Sequence, residues 1–234
     1  EDAASVPETT RSGEAFAGLG SPSALAHNLD MILAVGKREQ WLIDESELTV
    51  HPNSLLGVGG FGLVLAGEFH ASPAALKIHR KSGIDKNLFD IGNELRLLRK
   101  LSHPNIVLLH GACLSLKHRD LVLVMEQVIG DSLVSFIISL QPTAFERCQI
   151  LIGICHGLMY LHSRRPAIVH GDMKPANVVI EQHSSGPHAK ILDFGLARLI
   201  TRNARPSGGT YRWLAPEVLS SDGHPSLLAD VFSF

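Results

Sequence analysis

His170-Gly171-Asp172-Met173-Lys174-Pro175-Ala176-Asn177 is followed, sixteen residues after the asparagine, by Asp193-Phe194-Gly195. A carboxylate, an ammonium and an amide fall within six positions, and a second carboxylate follows across a short hairpin. In-line phosphoryl transfer needs such a set. Asp172 is suited to accept or orient a hydroxyl proton, Lys174 to neutralise charge on the moving phosphoryl group, and Asn177 with Asp193 to hold magnesium through hard oxygen ligands. Either triplet, HGD or DFG, arises by chance when alone; in this order and at this spacing, two unrelated loops are the weaker reading.

These residues resemble the catalytic loop and metal-binding motif of eukaryotic protein kinases. The resemblance implies an α+β, bilobal fold: a mostly antiparallel β-rich N-lobe with one main helix, hinged near Glu126 to a mainly helical C-lobe, with ATP between them. On that reading residues 1–40 are an N-terminal extension, disordered or a linker, residues 41–125 the N-lobe and residues 126–234 the C-lobe. The first 28 residues are rich in Ala, Ser, Gly, Pro, Glu and Thr, too poor in large apolar side chains to offset ordering entropy. Leu29 to Val35 has the pattern of a short docking helix, and the Trp41-Leu42-Ile43-Asp44 lead-in is similar to that of the tyrosine-kinase-like group.

Upstream of the loop, Leu55 to Ala66 carries Gly57, Val58, Gly59 and Gly62 in G-x-G-x-x-G spacing with Val64 beyond. That spacing also occurs in dinucleotide-binding turns that open a helix. Here β-type residues flank it on both sides, which predicts a glycine hairpin whose backbone approaches phosphates, with Phe61 at its tip. Ala74 to Ile78 is a strand interrupted by Lys77, costly if buried unless it is paired. Its candidate partner is Glu94, on a segment with helical apolar spacing, nine residues before His103-Pro104-Asn105-Ile106-Val107. Two solvated charges are the plainer alternative.

Ile106 to Leu109 and Asp120 to Val124 are expected to be strands joined by the polar turn Ser115 to Asp120. Met125-Glu126-Gln127-Val128 resembles the hinge, with Met125 as gatekeeper and the backbone of Glu126 and Val128 pairing with adenine. By the same resemblance Val64, Ala75 and Val179 close over adenine, while Leu98, Leu109, His170, Phe194 and Asp230 form a packing column; each fits ordinary core equally. Leu133 to Leu140 and Ala144 to His162 are helical, Asn177 to Ile180 and Lys190 to Leu192 form a ribbon, and Glu181 to Ala189 is an exposed connection.

Asp193 through Glu217 has the position of an activation segment. In it Thr210, within Gly209-Thr210-Tyr211-Arg212-Trp213, resembles the threonine that bonds the catalytic aspartate and lysine, and Ser207 is preferred over Thr201 as a phosphorylation site. Gly171 departs from the family, since most members carry there an arginine that pairs with an activation-segment phosphate. Glycine brings no charge, so activity is expected not to depend strongly on that phosphorylation. Asp230 to Phe234 resembles the start of the long central helix of the C-lobe. The helices and the arginine partner of Glu217 that the family places after it lie beyond Phe234, so the chain reads as a C-terminally truncated domain, expected to be poorly soluble or inactive when expressed alone.

Over 234 residues, 45% hydrophobic content and 19% charged residues are ordinary for a globular protein. A net charge of −2 gives no whole-chain reason to expect nucleic acid or an anionic membrane as partner. No apolar run approaches the ~18 residues that span a bilayer. Cys113, Cys148 and Cys155 are odd in number and lack metal-type spacing, as expected of small apolar residues in a reducing cytoplasm. The favoured function is a serine/threonine kinase using ATP and Mg2+ on a protein substrate, Lys174 favouring that over tyrosine. The alternative is a pseudokinase or scaffold that binds without turnover.

Overall fold

A computed structural model of the chain describes residues 33–59, 62–79, 92, 94–115, 120–200, 209–219 and 226–234. Six strands form one sheet: β1 (Leu42–Ile43), β2 (Leu48–Gly59), β3 (Gly62–Phe69), β4 (Ser72–His79), β5 (Leu109–Ser115) and β6 (Asp120–Glu126), in the order β1-β5-β6-β4-β3-β2. All neighbours are antiparallel except β1 and β5.

Side chains alternate across this sheet, and the alternation decides where Lys77 goes. Ala74 and Leu76 join Ile43, Cys113 and Val124 in a small cluster on one face. Leu121, Leu123 and Met125 enter the main core with Leu95, Leu97 and Leu98 of the helix α2 (residues 94–98). Lys77 lies opposite Leu123 and Ala75 opposite Met125, so both stand on the α2 side.

Beyond β6 come β7 (Asp131–Ser132), α3 (Leu133–Leu140) and α4 (Ala144–His162). Both helices start where expected, because Ser132 and Thr143 accept backbone N–H groups of the first turn, Thr143 in a reciprocal box with Glu146. Ile150, Gly153, Ile154, Gly157, Leu158 and Leu161 are the buried stripe of α4, at helical spacing. β8 (Ile168–Val169), β9 (Val178–His183), β10 (Gly186–Ile191) and β11 (Arg198–Leu199) frame the catalytic loop, and α5 (Pro216–Leu219) and α6 (Leu227–Ser233) follow.

Two expectations are corrected. The strand expected at Ile106 to Leu109 is β5, which begins at Leu109; Ile106 instead makes an isolated parallel bridge to Ile191. Val107 N–H donates to Ile191 O at 3.0 Å, Ile191 N–H to Asn105 O at 2.9 Å, and Asn105 Nδ2 to Ala189 O at 2.8 Å, so this segment docks on the helical half. The expected loop from Glu181 to Ala189 is mostly strand, β9 and β10 pairing as far as His183 with Gly186. The short docking helix expected at Leu29 to Val35 lies further along in its described part, residues 33–38, α1, with Leu33 and Val35 packed on the main core. Leu29 to residue 32, Phe61, Thr201 and Ser207 lie outside the described residues. Among the described residues no helix is long and apolar enough to cross a membrane.

Candidate active site

The loop after β8 is held from behind by a buried carboxylate. Asp230, 1% exposed at the start of α6, accepts the backbone N–H of His170 at 2.8 Å and of Gly171 at 2.9 Å, and meets His162 Nε2 at 2.9 Å. The His170 ring is fully buried, edge-on to Phe194 with centroids 4.9 Å apart. Its Nε2 reaches Leu192 O at 2.9 Å, so the proton sits on Nε2 and Nδ1 is free to accept Asp172 N–H at 3.3 Å. Leu98 and Leu109, the other expected members of this column, belong to the main core or pack against it.

Gly171 turns the chain at φ +77°, and a Cβ there would lie 2.9 Å from Leu196 O. Both the backbone and the space favour glycine. The turn presents Asp172, whose two oxygens divide their partners. Oδ2 accepts from Lys174 Nζ at 2.5 Å and Asn177 Nδ2 at 3.1 Å; Oδ1 accepts from Thr210 N–H at 2.9 Å and Thr210 Oγ1 at 2.7 Å. Lys174 Nζ also donates to Thr210 Oγ1 at 2.8 Å, closing the set. Asn177 sits at the end of a single 3-10 turn, Pro175–Asn177, with its amide hydrogens directed to Asp172 and its carbonyl accepting Leu192 N–H at 2.8 Å. That last bond ties Asn177 to the residue preceding Asp193. Asp193 itself is at φ +60°, in the left-handed region, which aspartate enters more readily than most non-glycine residues.

Lys77 is paired on both sides: its Nζ lies 2.7 Å from Glu94 Oε1 and 2.6 Å from Asp193 Oδ1. Burial pulls the ammonium toward neutrality, but the carboxylates of Glu94 and Asp193 outweigh it and its pKa is raised. Lys77 therefore stays charged through neutral pH.

Val64 lies opposite Lys77, Ala75 opposite Met125, and Val179 opposite Lys190. Met125 is buried and Val128 packs on the main core. Gly57 and Gly59 have open space where a Cβ would stand, while the Val58 side chain is 61% exposed. Glu126 adds a feature that sequence reasoning missed. Its Oε1 accepts Lys190 Nζ at 2.6 Å and Leu108 N–H at 2.8 Å, while its own N–H donates to Leu108 O at 2.9 Å. The signal was available: Lys190, like Lys77, is a lysine inside an apolar strand.

The arrangement suits a nucleotide carrying a hard cation. With its amide hydrogens engaged by Asp172, Asn177 has Oδ1 to offer, and Asp193 has a carboxylate that is 28% exposed. Among the described residues no three His, Cys, Asp or Glu side chains converge as a metal cage. Two protein oxygens, completed by phosphate and water, are the donor set magnesium commonly takes.

Residues 50–234 match the family model described as the protein kinase domain. The chain is 34% identical over 212 residues to serine/threonine-protein kinase VIK of Arabidopsis thaliana, covering 86% of this chain and 47% of that protein. It is 35% identical over 216 residues to a mitogen-activated protein kinase kinase kinase of Drosophila melanogaster, covering 88% and 18%. Against mitogen-activated protein kinase kinase kinase 7 of Bos taurus it is 34% identical over 197 residues, covering 82% and 32%. The chain thus spans less than half the length of each of these relatives.

Proposed function

The chain belongs to the protein kinase family, and we propose that it transfers the γ-phosphoryl group of ATP to serine or threonine hydroxyls of a protein. The observation that carries this reading is the meeting of Lys174 and Thr210 on Asp172, next to a lysine held between Glu94 and Asp193. In this reading Asp172 orients the acceptor hydroxyl and takes its proton through the carboxylate. Lys174 places positive charge where the phosphoryl group passes, and Thr210 keeps both groups in register. Lys77, fixed by Glu94, faces the α and β phosphates, and Gly57, Gly59 and Gly62 leave room for phosphates beside the backbone. Asn177 and Asp193 would hold magnesium, which when bound neutralises charge on the phosphate oxygens. Val64, Ala75, Met125, Val128 and Val179 line the adenine side, with the lobes meeting at residues 125 and 126.

Lys174 supports serine or threonine as acceptor, and the similarity to serine/threonine-protein kinase VIK agrees with it. The Gly209 to Trp213 stretch and the Trp41 lead-in support membership of the tyrosine-kinase-like group. At Gly171 the fit of the glycine supports a loop that holds its shape without an arginine–phosphate pair, so a phosphorylated Ser207 gives little gain in activity. A cytosolic setting is compatible with the free thiols of Cys113, Cys148 and Cys155.

The test is magnesium-dependent ATP binding followed by phosphorylation of a generic basic protein, wild type against Asp172→Ala. Turnover should fall by about a hundredfold or more with ATP binding retained. Equal turnover in both proteins would sink the assignment.

A further inference from the structure

The segment from Ser102 to Val107 docks on the helical half, and histidines gather along it from three elements: His103 in the segment itself, His156 on α4 and His188 on β10. Two of the bonds that hold the segment run through imidazole nitrogens. His103 Nδ1 accepts Asn105 N–H at 3.1 Å, and His188 Nε2 donates to Pro104 O at 3.0 Å. The first bond requires a bare Nδ1, so the neutral His103 ring carries its proton on Nε2. That ring leans on Tyr160 with centroids 4.9 Å apart, and the Tyr160 hydroxyl accepts Ser102 N–H at 2.9 Å. Asn105, 5% exposed, then closes the seam through its bonds to Ala189 and Ile191.

We propose that the His103 turn is an acid-sensitive latch on this seam: a proton on Nδ1 removes the acceptor of Asn105 N–H, sets positive charge among basic groups and loosens the segment from the helical half. From α4 the ring faces His156 and Tyr160, and the Arg164 guanidinium lies 4.3 Å over the Tyr160 ring. From β10 it faces His188, whose ring is edge-on to His183 of β9 at 5.6 Å. The Glu181 carboxylate reaches His183, at 3.6 Å, one ring removed from His188. Burial first, then the charges of His156 and His188, hold His103 below the ordinary histidine value of 6.5. The folded molecule keeps the ring neutral where the unfolded chain already binds a proton. The seam is therefore whole above pH 6.5 and weakens as pH falls below it. The latch uses no residue of the phosphoryl-transfer site, so it stands apart from the kinase reading.

Nitrogen-15 NMR on the full chain tests it. The His103 ring should show the Nε2–H tautomer and titrate with a midpoint below 6.5, and the Asn105 amide shift should follow the same curve. Amide exchange is read as protection relative to the intrinsic rate at each pH. Between about pH 7.5 and about pH 5.5, protection at Val107 and Ile191 should fall roughly fivefold while Ile154 in α4 holds. His103→Asn supplies an oxygen acceptor for the same turn and takes no proton, so protection at both positions should stay flat across that range. A His103 midpoint at or above 6.5, an Asn105 amide that does not follow it, or an acid loss of protection that persists in His103→Asn overturns the latch. Should His103→Asn fail to fold, the two wild-type curves decide alone, coincidence below 6.5 upholding the latch and divergence sinking it.

Discussion

Two of the lysines that face carboxylates, Lys174 and Lys77, are held in opposite ways. Lys174 takes one partner from its own loop, Asp172 two residues back, and one from the Gly209 to Trp213 stretch, Thr210, and its side chain is 19% exposed. Lys77 draws on remote elements, Glu94 on a helix 17 residues away and Asp193 116 residues away, and its side chain is 6% exposed. The first arrangement joins the Asp172 loop to the Thr210 stretch, with no part in it for the sheet or for α2. The second exists only while sheet, helix and the Asp193 turn sit in register, so it reports on the state of the whole molecule.

The largest test of that contrast is Lys77→Met. It leaves Glu94 buried without its ammonium, so stability to urea should fall by about 3 kcal/mol and turnover by about a hundredfold. Adding Glu94→Leu should recover much of the stability and none of the turnover. If Lys77→Met melts like the wild type, the remote cluster is not coupled to folding. On the local side, Thr210→Ala removes the hydroxyl shared by Asp172 and Lys174 and should lower kcat roughly tenfold, one charge-assisted bond. Thr210→Ser should restore it, and the melting temperature should barely move in either variant.

A smaller effect is expected at Gly171. Alanine there meets a positive φ and the Leu196 carbonyl, and thermal unfolding should show a loss of about 1 kcal/mol. The smallest effect concerns the sheet behind Lys77. The Cys113 thiol is pushed up to about 11, first by burial and then by Glu45, Asp44 and Glu47. The folded state keeps the thiol proton where the unfolded chain has lost it, so this contribution to stability falls as pH rises from the ordinary thiol value of 9.0 toward about 11. Denaturation at pH 8 and pH 10, with Cys113→Ala as reference, measures it. At neutral pH a maleimide should label exposed Cys148 at once and buried Cys113 only as the sheet opens.

Sequence reading recovered what local chemistry encodes. The bounds of α3 and α4 were legible because Ser132 and Thr143 are caps, and Lys77 with Glu94 because a lone charge in an apolar run demands a partner. The misses have a common cause in tertiary contact. Ile106 and Val107 look like strand residues but are buried by docking on Ile191, while Gly111-Ala112-Cys113 looks too small for a strand because β1 passes close over it. Residues 181–189 look like a loop because only alternate positions, Pro187 and Ala189 among them, face inward. For the Lys190–Glu126 pair the lysine in its strand was legible as a charge needing a partner, but the partner lies 64 residues away in sequence, beside the hinge.

The docking of Asn105, Ile106 and Val107 onto Ala189 and Ile191 has a mechanical outcome. The chain crosses between the halves of the molecule after Glu126, and this clasp joins them at a second point. Two fixed points define an axle, so any opening of the cleft would be a rotation about the line through them. In such a rotation Met125, next to the crossing, would sweep a short arc, whereas Gly57 and Gly59, out on the glycine hairpin, would move on the longer lever.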